Sequence, residues 1–490
     1  MLRFLLLFTA AFCVSSSSRA SPGSKCLHVN NSTHRIVDTD GRERYFHGVN
    51  VVVKGPPWLP ELQEFDPLKS FVEKDMQTLQ ELGLNAIRYG MMWPGAEPEK
   101  GVFNETYFTL SEDLINTAGS YGIYTLLDMH QDVLSDKFCG EGIPDWAVDT
   151  GNAKGFPYPV DEPYKVDPTT GYPTPEDCAK HAWADYQFAE ASSAAYQNLY
   201  NNSNGLLTSW ANFWGKVAQV FADNEYILGY ELINEPWAGD IYDHPKLLIP
   251  GVADEDVLAP AYEVLNKEIR KYDECHSVYF ESVTWDELTV GFKQPPGGFA
   301  YANRSVLSYH FYTPPQISAD ITFAERQKDL ERLKCAGFLT EFEIGLPDYK
   351  TMADTDEYLQ SWLGWEYKPF VPKTGSGSSI WYDNGTMNMQ VVDRLSRTYA
   401  HSVAGVTTLM LYNEITKRFT LTYYVTAACT SNTTEIYFNK ALHYSQGYTV
   451  AVAPSNSVTW KEENDNYVIV SHSRSLPEGA LIDVSISSST

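Results

Sequence analysis

Two glutamates follow apolar runs with the character of buried strands, and their placement predicts acid–base chemistry. Glu235 lies near the end of Ile227–Trp237 (ILGYELINEPW), where Asn-Glu-Pro stops the run abruptly. Glu341 closes the apolar part of a second such run, Gly337–Gly345 (GFLTEFEIG). A carboxylate at the end of a buried strand is costly unless it has a partner or a task. Two carboxyl groups on separate strands are what the hydrolysis of a glycosidic bond requires.

The two glutamates are predicted to have different roles. Glu235 would be the general acid that protonates the leaving oxygen, while Asn234 would bond the hydroxyl beside the reacting carbon. Glu341 would be the nucleophile. Glu343 competes for that role, because residues two apart on a strand share a face, although it lies further toward the loop. A carboxyl separation of ~5–5.5 Å would give retention of anomeric configuration and ~6.5–9.5 Å inversion, which the sequence leaves open.

Three further side chains near strand ends could support this pair. Arg88 could keep the nucleophile ionised, since a nearby cation lowers the pKa of a carboxylate. A structural ion pair is the alternative for Arg88, and both roles can hold at once. Tyr312 could donate a hydrogen bond to the nucleophile. His310 lies beside it in Ser-Tyr-His-Phe-Tyr, and a packed core histidine is the competing interpretation.

Other residues are candidates for binding sugar. Asp128, His130 and Asp132 alternate in the segment DMHQD, and three polar side chains on one face suit sugar hydroxyls better than a core. Lys54 follows the first apolar run and could reach the same pocket, with a solvated lysine as the alternative. Trp365 could stack on a sugar ring. The competing interpretation of Trp365 is a tryptophan packed in the core. Trp381 is the other candidate for the stacking role.

The elements that must position these residues alternate between short strand-like runs and longer segments with helical spacing. A strand–helix pattern repeated eight times predicts a (β/α)₈ TIM barrel, whose carboxyl strand ends meet at the active-site face. The strand-like runs are Tyr45–Val53, Asn85–Trp93, Gly122–His130, Ile227–Glu235, Ser277–Ser282, Val306–Tyr312, Gly337–Glu343 and Trp362–Lys368.

The last hundred or so residues have a different sequence pattern, in which short β-rich runs are separated by turn signals. This pattern predicts a small antiparallel β-sandwich. A domain that packs on the barrel and stabilises it is favoured over a binding module. We therefore divide the chain into a signal peptide (residues 1–20), a catalytic barrel (21–395) and a C-terminal β-sandwich domain (396–490). The β-rich runs are Val406–Tyr412, Phe419–Val425, Glu435–Phe438, Tyr448–Val452, Tyr467–Ser471 and Leu481–Ile486.

Composition restricts the partners and the compartment. The 490 residues carry a formal net charge of −27, which argues against nucleic acid, because phosphate binding needs lysine and arginine. Arg3 precedes the apolar run Phe4–Val14, which is typical of a secretory signal cleaved near Ala20. A secreted protein with several N-glycosylation sequons is the expectation. No Cys/His cluster has zinc-ligand spacing.

Six cysteines remain after the signal segment, an even number that suits an oxidising compartment. Six cysteines allow 15 connectivities, and the sequence does not choose among them. Cys139 and Cys178 flank an insertion rich in Pro, Gly and Asp, so a bridge that closes this insertion is the first candidate pair.

These segments together resemble the cellulase-like glycoside hydrolase family 5, and within it the endoglycoceramidases of invertebrate animals. The residues that carry the resemblance are VNVVVKGPPW, NAIRYGMMW, LLDMHQD, GYELINEPW, SYHFY and FLTEFE. The resemblance implies cleavage between an intact oligosaccharide and ceramide, with retention and without metal or cofactor. It also assigns Glu235 as acid/base and Glu341 as nucleophile. Residues lining the sugar sites would be Lys54, Asp128, His130, Asp132, Asn234 and Tyr312.

The same resemblance implies a glycosphingolipid substrate of the ganglioside or lactosylceramide type, transient contact with a membrane surface or micelle, and a monomer. Glu343 departs from it, since many relatives have glycine after Glu-Phe. One alternative is another family 5 glycosidase acting on glucan, mannan, a simple glucoside or glucosylceramide. A non-catalytic glycolipid binder is the other alternative, and it is disfavoured because no catalytic residue is lost.

Overall fold

The fold is seen in a computed structural model that describes residues 26–285, 288–313, 316–345, 349–370, 378–464 and 466–489. The predicted signal segment, residues 1–20, lies outside the described residues. Among the helices described, none combines the length and the apolar character needed to cross a membrane.

Eight parallel strands close into a barrel in the order β10-β11-β4-β5-β6-β7-β8-β9, which confirms the predicted (β/α)₈ fold. All their residues except Tyr124 are buried, because helices and the packed interior cover both faces. Their bounds are β4 (His47–Val51), β5 (Ala86–Gly90), β6 (Tyr124–Asp128), β7 (Ile227–Glu231), β8 (Ser277–Glu281), β9 (Ser305–Phe311), β10 (Ala336–Phe342) and β11 (Ser361–Gly364).

The eighth barrel strand is shorter than the run that predicted it. β11 pairs with β10 through Phe338 and Leu339 and with β4 through His47 to Val49, so it closes the barrel. The strand ends at Gly364, and Trp365 follows it directly. The predicted run extended to Lys368, a residue that lies instead in the loop beyond the strand.

Helices surround the barrel, and they cover it because their apolar residues recur at helical spacing. In α6 this spacing buries residues from Leu206 to Phe221 on one face. Between β8 and β9 the described residues form a 3₁₀ helix, Phe299–Arg304, in place of an α-helix. The α-helices are α1 (Glu73–Glu81), α2 (Trp93–Ala96), α3 (Glu105–Ser120), α4 (Pro175–Cys178), α5 (Glu190–Tyr200), α6 (Leu206–Phe221), α7 (Ala259–Ile269), α8 (Ala319–Leu333), α9 (Tyr349–Glu357), α10 (Met389–Leu395) and α11 (Lys440–His443).

The C-terminal domain consists of two antiparallel sheets packed over a shared core, as the β-rich runs predicted. One sheet has the order β13-β14-β19-β16, and the other has the order β1-β2-β3-β12-β15-β18-β17. Its strands are β12 (Tyr399–Val403), β13 (Val406–Asn413), β14 (Arg418–Tyr424), β15 (Thr433–Tyr437), β16 (Tyr448–Ala453), β17 (Val458–Glu463), β18 (Tyr467–His472) and β19 (Leu481–Ser488).

Three strands from the start of the described chain also belong to the second sheet. They are β1 (His28–Asn30), β2 (Arg35–Val37) and β3 (Glu43–Arg44), and β3 pairs with β12. The domain boundaries predicted from the sequence assigned these three strands to the barrel. Their pairing with a strand more than 350 positions away, Arg44 with Ser402, has no signature in the local pattern.

Two disulfides join distant parts of the barrel domain. Cys139 is bonded to Cys178, the pair chosen from the sequence, and this bridge closes the long segment after β6. The second bridge joins Cys26 to Cys275, just before β8. Cys335 and Cys429 are not disulfide-bonded.

Candidate active site at the carboxyl ends of the barrel strands

Glu235 lies in the turn beyond β7, which ends at Glu231, four residues before the end of the run that predicted it. Its backbone has a φ of 40°, in the left-handed region that non-glycine residues adopt only under constraint. The side chain is buried, and its Oε1 lies 2.8 Å from Nδ1 of His310. Burial, assisted by the charge of Asp132, raises the pKa of Glu235 to about 7. A carboxyl of this kind can hold a proton near neutral pH and release it to a reacting atom.

Glu341 lies at the penultimate position of β10, and two side chains bind its carboxylate. The hydroxyl of Tyr312 donates a 2.6 Å hydrogen bond to Oε1, and Nη1 of Arg88 donates a 3.0 Å hydrogen bond to Oε2. A cation and a phenol therefore hold this carboxylate in place. One carboxylate oxygen from each of Glu235 and Glu341 and a ring nitrogen of His310 all lie within 4.8 Å of one another.

Glu343 does not compete with Glu341 for this position. β10 ends at Phe342, and Glu343 beyond it forms an isolated parallel bridge with Trp365. The Oε1 atom of Glu343 accepts a hydrogen bond of 2.7 Å from the backbone N–H of Gly345 instead. Glu341, and not Glu343, is therefore the carboxyl that Arg88 and Tyr312 bind.

Arg88 is the hub that joins the polar side chains of four strands. It is fully buried and donates to Glu231 at 2.5 Å, to Oδ1 of Asn234 at 2.8 Å and to Oδ1 of Asn50 at 3.1 Å. A carboxylate oxygen of Asp128 lies 3.2 Å from Nη2. Burial opposes the charge, but the carboxylates around the guanidinium outweigh burial and raise the pKa of Arg88. The guanidinium is thus a permanent buried cation.

The predicted sugar ligands form a second polar group on strands β4, β6 and β11. Nδ1 of His130 lies 2.8 Å from Oδ2 of Asp128, and Lys54 forms an ion pair with Asp132. Burial lowers the pKa of His130, but the charge and hydrogen bond of Asp128 outweigh it and raise the pKa to about 9. The ring of Trp365 stacks on His130 at 5.4 Å between centroids, with Nζ of Lys54 4.7 Å from its centroid. Charged donors, acceptors and a ring face converge here, as sugar hydroxyls require.

The two candidate tryptophans occupy different places. Trp365 lies beside Lys54 and His130, whereas Trp381 packs edge-on against Phe65 and Tyr367, at 4.9 and 6.5 Å between centroids. The stacking position therefore belongs to Trp365.

Four residues of this site were not singled out from the sequence. Glu231 and Asn50 bind Arg88, Glu141 lies 3.4 Å from Nζ of Lys54, and Oε2 of Glu281 accepts the backbone N–H of Glu235. Glu281 is the last residue of β8, so the rule that selected Glu341 could have found it. Glu141 is in a long loop, where the sequence carries no comparable signal.

Two groups of side chains bring metal-ligand atom types within 4.8 Å of one another: His130, Asp132 and Glu141, and Glu235, His310 and Glu341. In the first group the ammonium of Lys54 already pairs with both carboxylates. In the second, Tyr312 and Arg88 bind Glu341. A cation therefore already lies beside carboxylates of each group.

A small polar pocket adjoins Glu235 on the side away from Trp365. Residues that follow β8 and β9 line it, among them Ser282, Thr284 and Gln316. The carboxyl pair therefore lies between the charged group beyond strands β4, β6 and β11 and a pocket lined by residues on and beyond β8 and β9. This arrangement can cleave a bond with acid assistance while holding different chemical groups on its two sides.

Comparison with known proteins gives consistent matches along the chain. The family model of cellulases (glycosyl hydrolase family 5) matches residues 67–370, and that of the glycoside hydrolase family 5 C-terminal domain matches residues 397–486. An endoglycoceramidase of Cyanea nozakii is 50% identical over 494 residues, which cover 99% of this chain and 98% of that protein. An endoglycoceramidase of Hydra vulgaris is 49% identical over 92% of this chain and 88% of its own length. The solved structure of endo-glycoceramidase II from Rhodococcus sp. has the same fold, with a TM-score of 0.72, 22% identity and coverage of 93% of this chain and 99% of that one.

Proposed function

The chain belongs to glycoside hydrolase family 5, and from this membership we propose that it cleaves the β-glycosidic bond between the oligosaccharide and the ceramide of glycosphingolipids. One observation carries the choice of substrate. The likeness to two endoglycoceramidases, at 50% and 49% identity, extends over nearly the whole chain and not only over the catalytic motifs. The products would be an intact glycan and ceramide, formed with retention.

The first step uses the two carboxyl groups on opposite sides of the bond. The carboxylate of Glu341 attacks the anomeric carbon, and a glycosyl–enzyme ester forms as the bond to the ceramide oxygen breaks. Glu235 gives its proton to that oxygen as it leaves. A carboxylate oxygen of Glu235 lies within 4.8 Å of one of Glu341. This separation leaves no room for a water between the second carboxylate and the sugar, which supports retention over inversion.

The second step returns the enzyme to its starting state. Glu235, now a carboxylate, takes a proton from water as the water attacks the anomeric carbon. The ester to Glu341 breaks, and the glycan leaves with the β configuration. Glu235 ends protonated and Glu341 ends ionised, so the proton balance closes without a cofactor.

Arg88 and Tyr312 serve the nucleophile in both steps. They hold Glu341 as an anion before attack and stabilise it as it departs from the sugar. Asn234, which Arg88 fixes through Oδ1, keeps its amide group beside the reacting centre. We assign to Asn234 the hydrogen bond to the hydroxyl next to the anomeric carbon.

The order of strands in the barrel supports an orientation for the substrate. The charged candidates for sugar binding are on β4, β6 and β11, and the carboxyl pair is on β7 and β10. Only β8 and β9 remain on the far side of the pair. We assign the glycan to the charged side and the leaving ceramide to the side of β8 and β9.

Exposed apolar side chains occur on the segments that follow β7, β8 and β9. We define the apolar rim as Leu248, Ile249, Leu288, Ile317 and Ile321, whose exposure ranges from 47% to 80%. Arg326, which lines the polar pocket, donates to the backbone oxygen of Leu288. Exposed apolar groups beside a pocket mark a surface for apolar partners.

The apolar rim supports transient contact with a membrane surface or micelle that presents the glycolipid. With a net charge of −27, the chain is not drawn to an anionic surface by its charge, so apolar contact is the attraction that fits. We propose in addition that the protein is secreted and acts as a monomer. The signal-like segment at residues 1–20 supports secretion.

Product analysis with defined lipids tests this proposal. Lactosylceramide, a ganglioside, glucosylceramide and a soluble β-glucan would each be incubated with the protein, and the products identified by mass spectrometry. Release of intact oligosaccharide and ceramide from the first two is expected. Release of glucose from glucosylceramide alone, or cleavage of the glucan alone, would assign the protein to a different activity within the family.

A further inference from the structure

A third carboxyl group, that of Glu281, lies against the acid/base residue and has no part in the mechanism above. Glu281 is the last residue of β8 and is 4% exposed. Its Oε2 accepts a hydrogen bond of 2.8 Å from the backbone N–H of Glu235. Its Oε1 lies 3.7 Å from Nδ1 of His310, the nitrogen that lies 2.8 Å from Oε1 of Glu235. One imidazole nitrogen therefore faces both carboxyl groups.

The backbone contact constrains the acid/base residue directly. Glu235 has a left-handed φ of 40°, and a non-glycine residue keeps this conformation only where its surroundings fix it. The N–H of Glu235 is buried, so the loss of its acceptor would leave it unsatisfied. The carboxyl of Glu281 thus fixes the segment that aims the catalytic carboxyl.

The charged groups around Glu281 disfavour a second anion here. Glu231 and Glu235 face it from β7 and the turn beyond, and Arg88 lies further off on β5. The hydroxyl of Tyr262, on α7, donates to the backbone oxygen of Glu281 and not to its carboxyl group. Within the described chain, His310 is the one basic side chain that an ion-pair distance joins to this carboxyl. Burial, followed by the charges of Glu235 and Glu231, raises the pKa of Glu281 well above its ordinary value.

We propose that Glu281 is a positioning residue for Glu235: it accepts the backbone N–H of Glu235 and faces the imidazole nitrogen that meets the catalytic carboxyl. This inference rests on the catalytic roles proposed for Glu235 and Glu341. Two carboxyl groups that face one nitrogen in a buried site do not both ionise readily, so they titrate as a pair. Burial and the charge of Glu235 raise the pKa of Glu281, so the remaining proton stays on Glu281 when Glu235 ionises. A neutral Glu281 can then hold the backbone of Glu235 without a second buried charge beside it.

Two soluble substrates separate this role from a general structural one. Dinitrophenyl β-lactoside has a leaving group that departs without a proton, whereas phenyl β-lactoside requires the acid. Glu281→Gln keeps an oxygen that can accept the N–H of Glu235 but cannot ionise. Glu281→Leu removes both properties. Glu97→Gln is the matched control, since Glu97 is buried and accepts a 2.6 Å hydrogen bond from the backbone of Gly101, away from Glu235.

The decisive readout is the pH profile of kcat/KM for phenyl β-lactoside. In Glu281→Gln, whose amide oxygen can still accept the N–H of Glu235, we expect both the plateau and the alkaline limb to be retained. In Glu281→Leu we expect a fall of roughly 100-fold with phenyl β-lactoside and much less with dinitrophenyl β-lactoside. Glu97→Gln should match the wild type in both.

An activity loss in Glu281→Gln of the size expected for Glu281→Leu overturns the proposal, whether or not Glu281→Leu folds. Equal losses of kcat/KM on both lactosides in a folded Glu281→Leu also overturn it. Failure of the proposed function would look different. The wild-type protein would then hydrolyse the lactosides but leave lactosylceramide intact.

Discussion

A hydrogen bond of 3.0 Å joins Nη1 of Arg88 to Oε2 of Glu341 across the barrel mouth, from β5 to β10. The same guanidinium binds Glu231 and Asn234, so the charge of the proposed nucleophile is tied to the scaffold that presents Asn234 beside the proposed acid. Catalytic geometry and barrel stability thus depend on one side chain.

Replacement of Arg88 by methionine should therefore impair both folding stability and activity. The change leaves Asp128, Glu231 and Glu341 as buried carboxylates without their cation, and breaking such a group costs roughly 3–5 kcal/mol. The free energy of unfolding from urea denaturation measures this cost. Arg474→Met, at an exposed arginine of the C-terminal domain, is the control and should change stability by less than about 1 kcal/mol. Equal stability of the two variants would contradict the hub role of Arg88.

The pH dependence of the first step should follow Glu235. Its pKa is raised to about 7, and the protonated form is the acid, so kcat/KM for lactosylceramide should be high below about pH 7 and fall above it. Dinitrophenyl β-lactoside, whose leaving group needs no proton, should lack this alkaline limb. A limb at the same pH with both substrates would show that another group controls it.

The disulfide that closes the long segment after β6 should stabilise the active-site rim. Cys139 and Cys178 are separated by 39 positions, and a bridge over a loop of that length contributes roughly 2–4 kcal/mol. The double variant Cys139→Ser/Cys178→Ser should lose a stability of that size in urea denaturation. Cys429→Ser, at a cysteine without a disulfide, should change stability by less than about 1 kcal/mol. Equal losses of stability in the two variants would show that this disulfide makes no specific contribution to stability.

The apolar rim should affect lipid substrates and not soluble ones. In the variant Leu288→Ser/Ile317→Ser we expect roughly 10-fold lower kcat/KM on ganglioside in phosphatidylcholine vesicles, since about 1–2 kcal/mol of apolar contact is lost. Hydrolysis of dinitrophenyl β-lactoside should be unchanged. Val102→Ser, at an exposed valine, is the matched control for surface polarity. If the rim variant keeps full activity on vesicles, the lipid surface is contacted elsewhere.

Much of this site could be predicted because a parallel barrel brings all carboxyl strand ends to one face. Arg88, Asp128, Glu341 and their neighbours needed only a strand-like run and a polar residue near its end. The eighth strand was harder, because Trp365 lies just outside a strand of four residues. Its place beside Lys54 became clear only from the structure.

Other features depend on contacts that a linear pattern does not contain. Glu141 reaches Lys54 from a long loop, and β3 pairs with β12 across most of the chain. Glu281 had the same signal as Glu341, but its function depends on the turn conformation of Glu235, which the sequence does not specify. The sequence also left Glu343 as a rival to Glu341 until the end of β10 was known.

The central claim is that Glu341 attacks the sugar while Glu235 protonates the leaving group. Trapping of the covalent intermediate tests it most directly. A dinitrophenyl lactoside with fluorine in place of the hydroxyl beside the anomeric carbon should inactivate the protein, and mass spectrometry of the digest would locate the sugar. The account predicts one lactosyl adduct, carried by Glu341 in the peptide that spans β10. An adduct on Glu343, or steady turnover of this substrate with inversion and no adduct, would contradict it.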